Sequence, residues 1–254
     1  MHLDGRHLRR EGQGNHCVSL MITTGVSYSH NHATYHLVTL LILLNAINRS
    51  LSCNSCPVRA IGTLPASLGT LDMANSLNLE SNAFFGQLPT EWGAPNQFPS
   101  LINLFLDGNN LTGTIPTVFP QLQLLRLDGN HLSGTLNISL VMPSLQVFRI
   151  FNNNLTGNLP SDFWTRMFPQ LQIFAGQQNE FQQSLPVVWA SGAASQLNEL
   201  YLQQNSLSGG LPAAWGDPKA FPVLRYLTLG SNPFGGQLPE ALGQSNSFPQ
   251  LRSL

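Results

Sequence analysis

Residues Leu101–Pro116 read LINLFLDGNNLTGTIP. The stretch carries one charge, Asp107, among regularly placed leucines and asparagines. Leu101, Leu104 and Leu106 stand eight, five and three residues before Asn109, and Leu111, Gly113, Ile115 and Pro116 follow it. The same frame recurs around Asn130, Asn153, Asn205 and Asn232, and more loosely around Asn82 and Asn179. In the loose copies Ala74 stands for the first leucine of one, and Gly176 and Gln183 replace a leucine and the later glycine of the other. Successive asparagines are 27, 21, 23, 26, 26 and 27 residues apart. A fixed period of this length signals stacked units, each unable to bury its apolar face alone.

Within a unit, the residues between the inner leucines alternate with period two, which predicts a short strand with leucines pointing inward. Parallel strands need a crossover, and the rest of each unit supplies it. Glycine and proline there argue against a long helix and predict short extended and 3₁₀ pieces. The repeated asparagine is expected to be buried at the turn with its amide on backbone groups. Trp92, Phe119, Phe163, Trp189, Trp215 and Leu242 fall three residues after the proline slot of successive units. One large residue per unit, in register, is read as core filling rather than as a sugar platform.

These repeats resemble the plant-type leucine-rich repeat, L-x-x-L-x-L-x-x-N-x-L-[ST]-G-x-[IL]-P, and the opening stretch matches every fixed position. The likeness covers Leu71 to Leu254 well and Ile61 to Leu68 weakly. It implies an α/β-class right-handed solenoid, a horseshoe whose parallel sheet lines the concave side and whose outer side is mostly irregular or 3₁₀. It also implies a receptor-like ectodomain or an array like the polygalacturonase inhibitors, with a protein or peptide partner on the concave face. The expected organisation is a leader over 1–52, a cap and degenerate first repeat over 53–70, and a solenoid over 71–254. That solenoid holds about seven full repeats and a truncated eighth, so the chain is expected to continue or to pair at this end.

Only 9% of the 254 residues are charged, the net charge is −1, and Lys219 is the single lysine. Nucleic acid is excluded as an expected partner, because phosphate binding needs many cations on one face. The stretch His36–Ile47 is too short to cross a bilayer and has the length of a signal-peptide core. Export to the cell surface or beyond is therefore expected, with membrane association only through a missing C-terminal part or an uncleaved leader. An open alternative is a scaffold in the cytoplasm, in a cytoskeletal or ciliary (axonemal) assembly. Cys53 and Cys56 are a disulfide candidate in the cap if the chain is exported. Sequons stand at Asn48, Asn110, Asn137 and Asn154, and glycans are expected on the last three.

No nucleotide-, zinc- or serine-hydrolase motif occurs. His30, His32 and His36 lie in the leader, and no metal or cofactor is expected. Asp107 and Asp128 share a slot in adjacent units, close enough for one pKa to rise. They are read as part of a surface charge lattice rather than as an acid/base pair, so the protein is not expected to be an enzyme. Outward strand slots are free of the core, across a sheet about 30 Å wide. They place Phe105, Asp107, Arg126, Asp128, Arg149 and Phe151 in one patch. Gln177, Gln178, Tyr201, Gln203 and Gln204 form another, amide-rich one. Aromatic residues and arginine are the types enriched at binding hot spots, so the first patch is the expected docking point.

Overall fold

A computed structural model describes residues 61–253 apart from 117, 118, 120 and 138. The leader, the Cys53–Cys56 pair, Asn48 and the second leucine slot at Leu254 lie outside the described residues. Nothing here therefore bears on the domain limits expected before Ile61.

The inward leucines do what their period predicts. Leu77, Leu104, Leu125, Phe148, Phe174, Leu200 and Leu227 are buried, each in the middle of a three-residue strand. The strands run Ser76–Asn78, Asn103–Phe105, Leu124–Arg126, Val147–Arg149, Ile173–Ala175, Glu199–Tyr201 and Tyr226–Thr228. They pair in chain order into a seven-stranded parallel sheet. Equivalent residues align across it, as in Phe105↔Arg126 and Arg126↔Arg149. This is the sheet expected on the concave side.

After each strand the chain turns at the residue before the repeated asparagine. That residue is left-handed in all seven coils: Ser81, Gly108, Gly129, Asn152, Gln178, Gln204 and Ser231. Glycine adopts this conformation without a Cβ clash. The five others hold it at φ 53–57°.

The asparagine then joins two coils. The side-chain nitrogen of Asn130 donates to its own coil at Leu127 O, 3.0 Å away, and to the preceding coil at Leu106 O, also 3.0 Å. Its oxygen accepts the N–H of Leu111, again from the preceding coil, at 3.0 Å. Asn109, Asn153, Asn179, Asn205 and Asn232 repeat this pattern. Asn130, Asn153, Asn179 and Asn205 are buried, and the three nearer the ends of the ladder are half-buried. Backbone groups that a turn would strand inside the core are thus satisfied.

Beyond the turn lies a second seven-stranded parallel sheet, which the sequence had suggested only as short extended pieces. Its strands are Ile61–Gly62, Ala83–Gln87, Asn110–Gly113, His131–Thr135, Asn154–Asn158, Glu180–Gln183 and Ser206–Leu207. Phe84, Leu111, Leu132, Leu155, Phe181 and Leu207 face back into the core and are buried. The third side carries 3₁₀ turns, including Thr90–Gly93, Val187–Ala190 and Ala213–Gly216. A proline caps each of these turns at its start, its missing N–H removing one unpaired donor. One π turn spans Phe163–Met167. Among the described residues there is no α-helix.

Trp92, Trp189 and Trp215 are buried on this third side. Their indole nitrogens donate to Pro65 O, Pro160 O and Pro186 O at 3.3, 3.0 and 3.3 Å. Trp189 and Trp215 stack with centroids 6.0 Å apart and planes 11° from parallel. In these three coils the large residue therefore fills the core and also bonds to a proline of an earlier coil.

Candidate functional site

The outward rows of the first sheet are fixed by the leucines between them. One row holds Asn78, Phe105, Arg126, Arg149, Ala175, Tyr201 and Thr228, aligned strand to strand. Two residues further along each coil stand Glu80, Asp107, Asp128, Phe151, Gln177 and Gln203. Phe105, Arg126, Arg149 and Phe151 are half-exposed.

All six residues of the first expected patch come together. Arg126 donates from Nη2 to Asp107 Oδ2 at 2.8 Å. Its Nη1 lies 3.7 Å from Glu80 Oε2, and its Nε lies 4.0 Å from Asp128 Oδ1. Arg149 Nε lies 3.4 Å from Asp128 Oδ1. The guanidinium carbons of Arg126 and Arg149 sit 5.7 and 5.1 Å from the ring centroids of Phe105 and Phe151, within cation–π range.

The two aspartates join the charge lattice that the sequence suggested, through Arg126 and Arg149, but they are buried rather than at the surface. Both are only 7% exposed, Asp107 with Arg126 of the next coil against it and Asp128 with Arg149 of the next coil against it. Burial pushes the Asp128 carboxyl above its ordinary pKa, and the neighbouring Asp107 charge adds to the rise. Arg149, Arg126 and a backbone hydrogen bond oppose it without cancelling it.

Gln177, Tyr201 and Gln203 form a separate group, set apart from the arginines by buried Ala175. The Tyr201 hydroxyl donates to Glu199 Oε2 at 3.0 Å. Burial, and then that bond, push its pKa up to about 12, so it stays protonated across the physiological range. The Thr228 hydroxyl donates to Gln203 Oε1. Gln177 is half-buried, and its Oε1 has no hydrogen-bond partner.

A third row escaped the sequence reading. Leu124, Val147 and Ile173 align on adjacent strands beside the arginines and are half-exposed. Apolar side chains there are not consumed by the core. The two-residue alternation that located the other rows also locates this one, one step earlier along each strand.

The sequon asparagines Asn110, Asn137 and Asn154 are exposed. Asn110 and Asn154 lie on the second sheet, away from the patches. His131 is exposed on the same sheet. An apolar cavity of about 480 Å³ is lined by Leu211, Trp215, Leu227, Leu242 and Phe248, among others. It lies between the last described coils, partly open to solvent, since Leu238 in its lining is 77% exposed, and it includes no residue of either patch. Among the described residues no three His, Cys, Asp or Glu side chains gather as a metal site would need. No described helix is long and apolar enough to cross a membrane.

The family profile described as Leucine Rich Repeat matches residues 100–122, 144–165, 196–217 and 223–245. A search of curated protein sequences returned no match. Among solved structures, the chain is similar to that of PEPR1-AtPEP1, at 30% identity and a TM-score of 0.68, covering 77% of this chain and 26% of that one. A TDR receptor follows at 28% identity and 0.67, covering 76% and 32%. The Arabidopsis receptor kinase HAESA, in complex with the peptide hormone IDA and the co-receptor SERK1, matches at 26% and 0.55, covering 73% and 38%. The chain thus spans between about a quarter and two fifths of the length of these proteins.

Proposed function

Because this chain belongs to the plant-type leucine-rich repeat proteins, we propose that it is a non-catalytic module binding a peptide or protein on its concave sheet. The observation that carries this reading is the group Phe105, Arg126, Arg149 and Phe151. These large side chains are half-exposed on rows the core does not use, next to the apolar strip Leu124, Val147 and Ile173. Aromatic and arginine anchors beside apolar surface are what an interface centre is made of. HAESA, whose repeats this fold resembles, was solved with a peptide hormone.

The amide group Gln177, Tyr201 and Gln203 extends the same surface and supplies hydrogen bonds at its far end. Glycans at Asn110, Asn137 and Asn154 fall outside both patches and leave them clear. The setting that agrees with all of this is the cell exterior, with a receptor-like role.

The test is selection of binders from a displayed random-peptide library on the wild-type chain, followed by affinity measurement on Arg126→Gln/Arg149→Gln. The double variant is expected to lose about 1–3 kcal/mol or more, since it leaves the buried Asp107 and Asp128 carboxylates without their partners, so its affinity is measured under conditions where its melting curve shows it folded. Its affinity is expected to fall at least about tenfold, the loss that follows truncation of hot-spot residues. Retained affinity in the folded double variant would refute the assignment.

A further inference from the structure

We infer that Asp128 is a proton-operated latch on Arg149: ionised, it holds the guanidinium along the sheet, and protonated, it frees that guanidinium for an anionic group of a partner. The inference rests on the reading of this sheet as the binding face and adds its regulation.

The two arginine–aspartate contacts in the patch are unequal. Arg126 and Asp107 make a hydrogen bond of 2.8 Å. Arg149 Nε and Asp128 Oδ1 approach to 3.4 Å, yet both atoms are buried and neither has a hydrogen-bond partner. The second contact is therefore held by charge without the directional bond of the first. A proton on Asp128 removes that charge and leaves Arg149 nothing to hold it there except the Phe151 ring, 5.1 Å away. The same proton leaves the Arg126–Asp107 bond in place.

The surroundings favour that proton. The charged groups facing Asp128 are Arg126 from its own coil, Asp107 from the preceding coil and Arg149 from the following one, with Glu80 one coil beyond Asp107. Three carboxylates thus share two guanidiniums, and Asp128, which accepts no hydrogen bond from either of them, is buried. Desolvation disfavours its ionised form, and the adjacent like charge does the same. Arg149 has 37% of its side chain exposed, so once released it reaches solvent, and any ligand there, without disturbing the core. Proton uptake also brings the patch from a surplus of negative charge to balance, which removes a repulsion against acidic partners.

The experiment is a pH titration of the whole chain without ligand, following aspartate carboxyl carbons and arginine Nε signals by NMR. The Asp128 midpoint is expected above that of an ordinary aspartate, with the Arg149 Nε signal moving at the same midpoint. Arg126 Nε should move less. Arg149→Gln should raise the Asp128 midpoint and Asp107→Asn should lower it. Asp128→Asn should hold the Arg149 signal at its acid position throughout. An Asp128 midpoint at or below the ordinary position, or an Arg149 signal indifferent to it, overturns the latch. Since no ligand is used, that failure leaves the binding face standing, whereas a double arginine variant that keeps its affinity removes the binding face alone.

Discussion

The side-chain oxygen of Asn153 accepts the backbone N–H of Leu132, 21 residues earlier and one coil away, at 2.9 Å. The nitrogen of the same amide donates to Leu127 O of that earlier coil at 3.0 Å and to Ile150 O of its own coil at 3.1 Å. One side chain thus satisfies polar groups that stacking has cut off from water. Asn153→Leu keeps the volume and strands those partners. Each buried group left without a bond costs about 1–3 kcal/mol, and a loss of that order is expected in urea denaturation. An unchanged midpoint would mean that the ladder does not hold the coils.

How far this was legible from the chain depends on what each residue is used for. Leu104, Leu125 and Asn130 are consumed in stacking, so their spacing reveals their neighbours. The left-handed turn was legible at Gly108 and Gly129 but hidden at Gln178 and Gln204, whose side chains do not advertise positive φ. The second sheet was obscured because segments such as Asn154–Asn158 contain a glycine that reads as a turn, although the strand pairs through it. At the site, the outward rows followed from alternation alone. The burial of Asp107 and Asp128 did not, because each is met by an arginine of the next coil, a contact that alternation along one strand does not show.

Gly157 tests the second sheet. It sits at φ 80°, and a Cβ there would lie 2.6 Å from Thr135 Cγ2 on the neighbouring strand. Gly157→Ala combines a left-handed L residue, costing about 1–2 kcal/mol, with a contact that forces Thr135 to move. Gly243 has open space around its missing Cβ and no positive φ, so Gly243→Ala serves as the control and is expected within about 0.5 kcal/mol of wild type. Equal midpoints for the two variants would show that neither the conformation nor the close approach matters.

The glycan proposal has a direct readout. Asn110, Asn137 and Asn154 are exposed, and none belongs to the arginine patch or to the amide group. The native protein is expected to gain mobility on glycosidase treatment, with one step lost for each Asn→Gln replacement. Peptide affinity is expected to be the same in the triple replacement as in wild type. Unshifted mobility of the native protein would argue for the cytoplasmic alternative, where these sequons are never read.

Asp128 and Asp107 should answer to mutation in opposite senses. Asp107 accepts a charged hydrogen bond from Arg126. Asp107→Asn weakens that bond and is expected to destabilise at neutral pH by about 1–3 kcal/mol. Asp128 has its folded pKa raised, chiefly by desolvation. Between its unfolded and folded pKa the native state holds a proton that the unfolded state has released, so stability falls as pH rises through that interval. Above the folded pKa the full cost of the buried charge is present, and below the unfolded pKa it is gone. Asp128→Asn removes the charge at every pH. The variant is therefore expected to be at least as stable as wild type at neutral pH, with its advantage shrinking as the solution is acidified through the raised pKa. Urea denaturation of both proteins at a series of pH values reads this difference. A wild type that is the more stable at neutral pH and loses its lead on acidification would mean that Asp128 is an ordinary stabilising ion-pair partner, and that its retention needs no binding role to explain it.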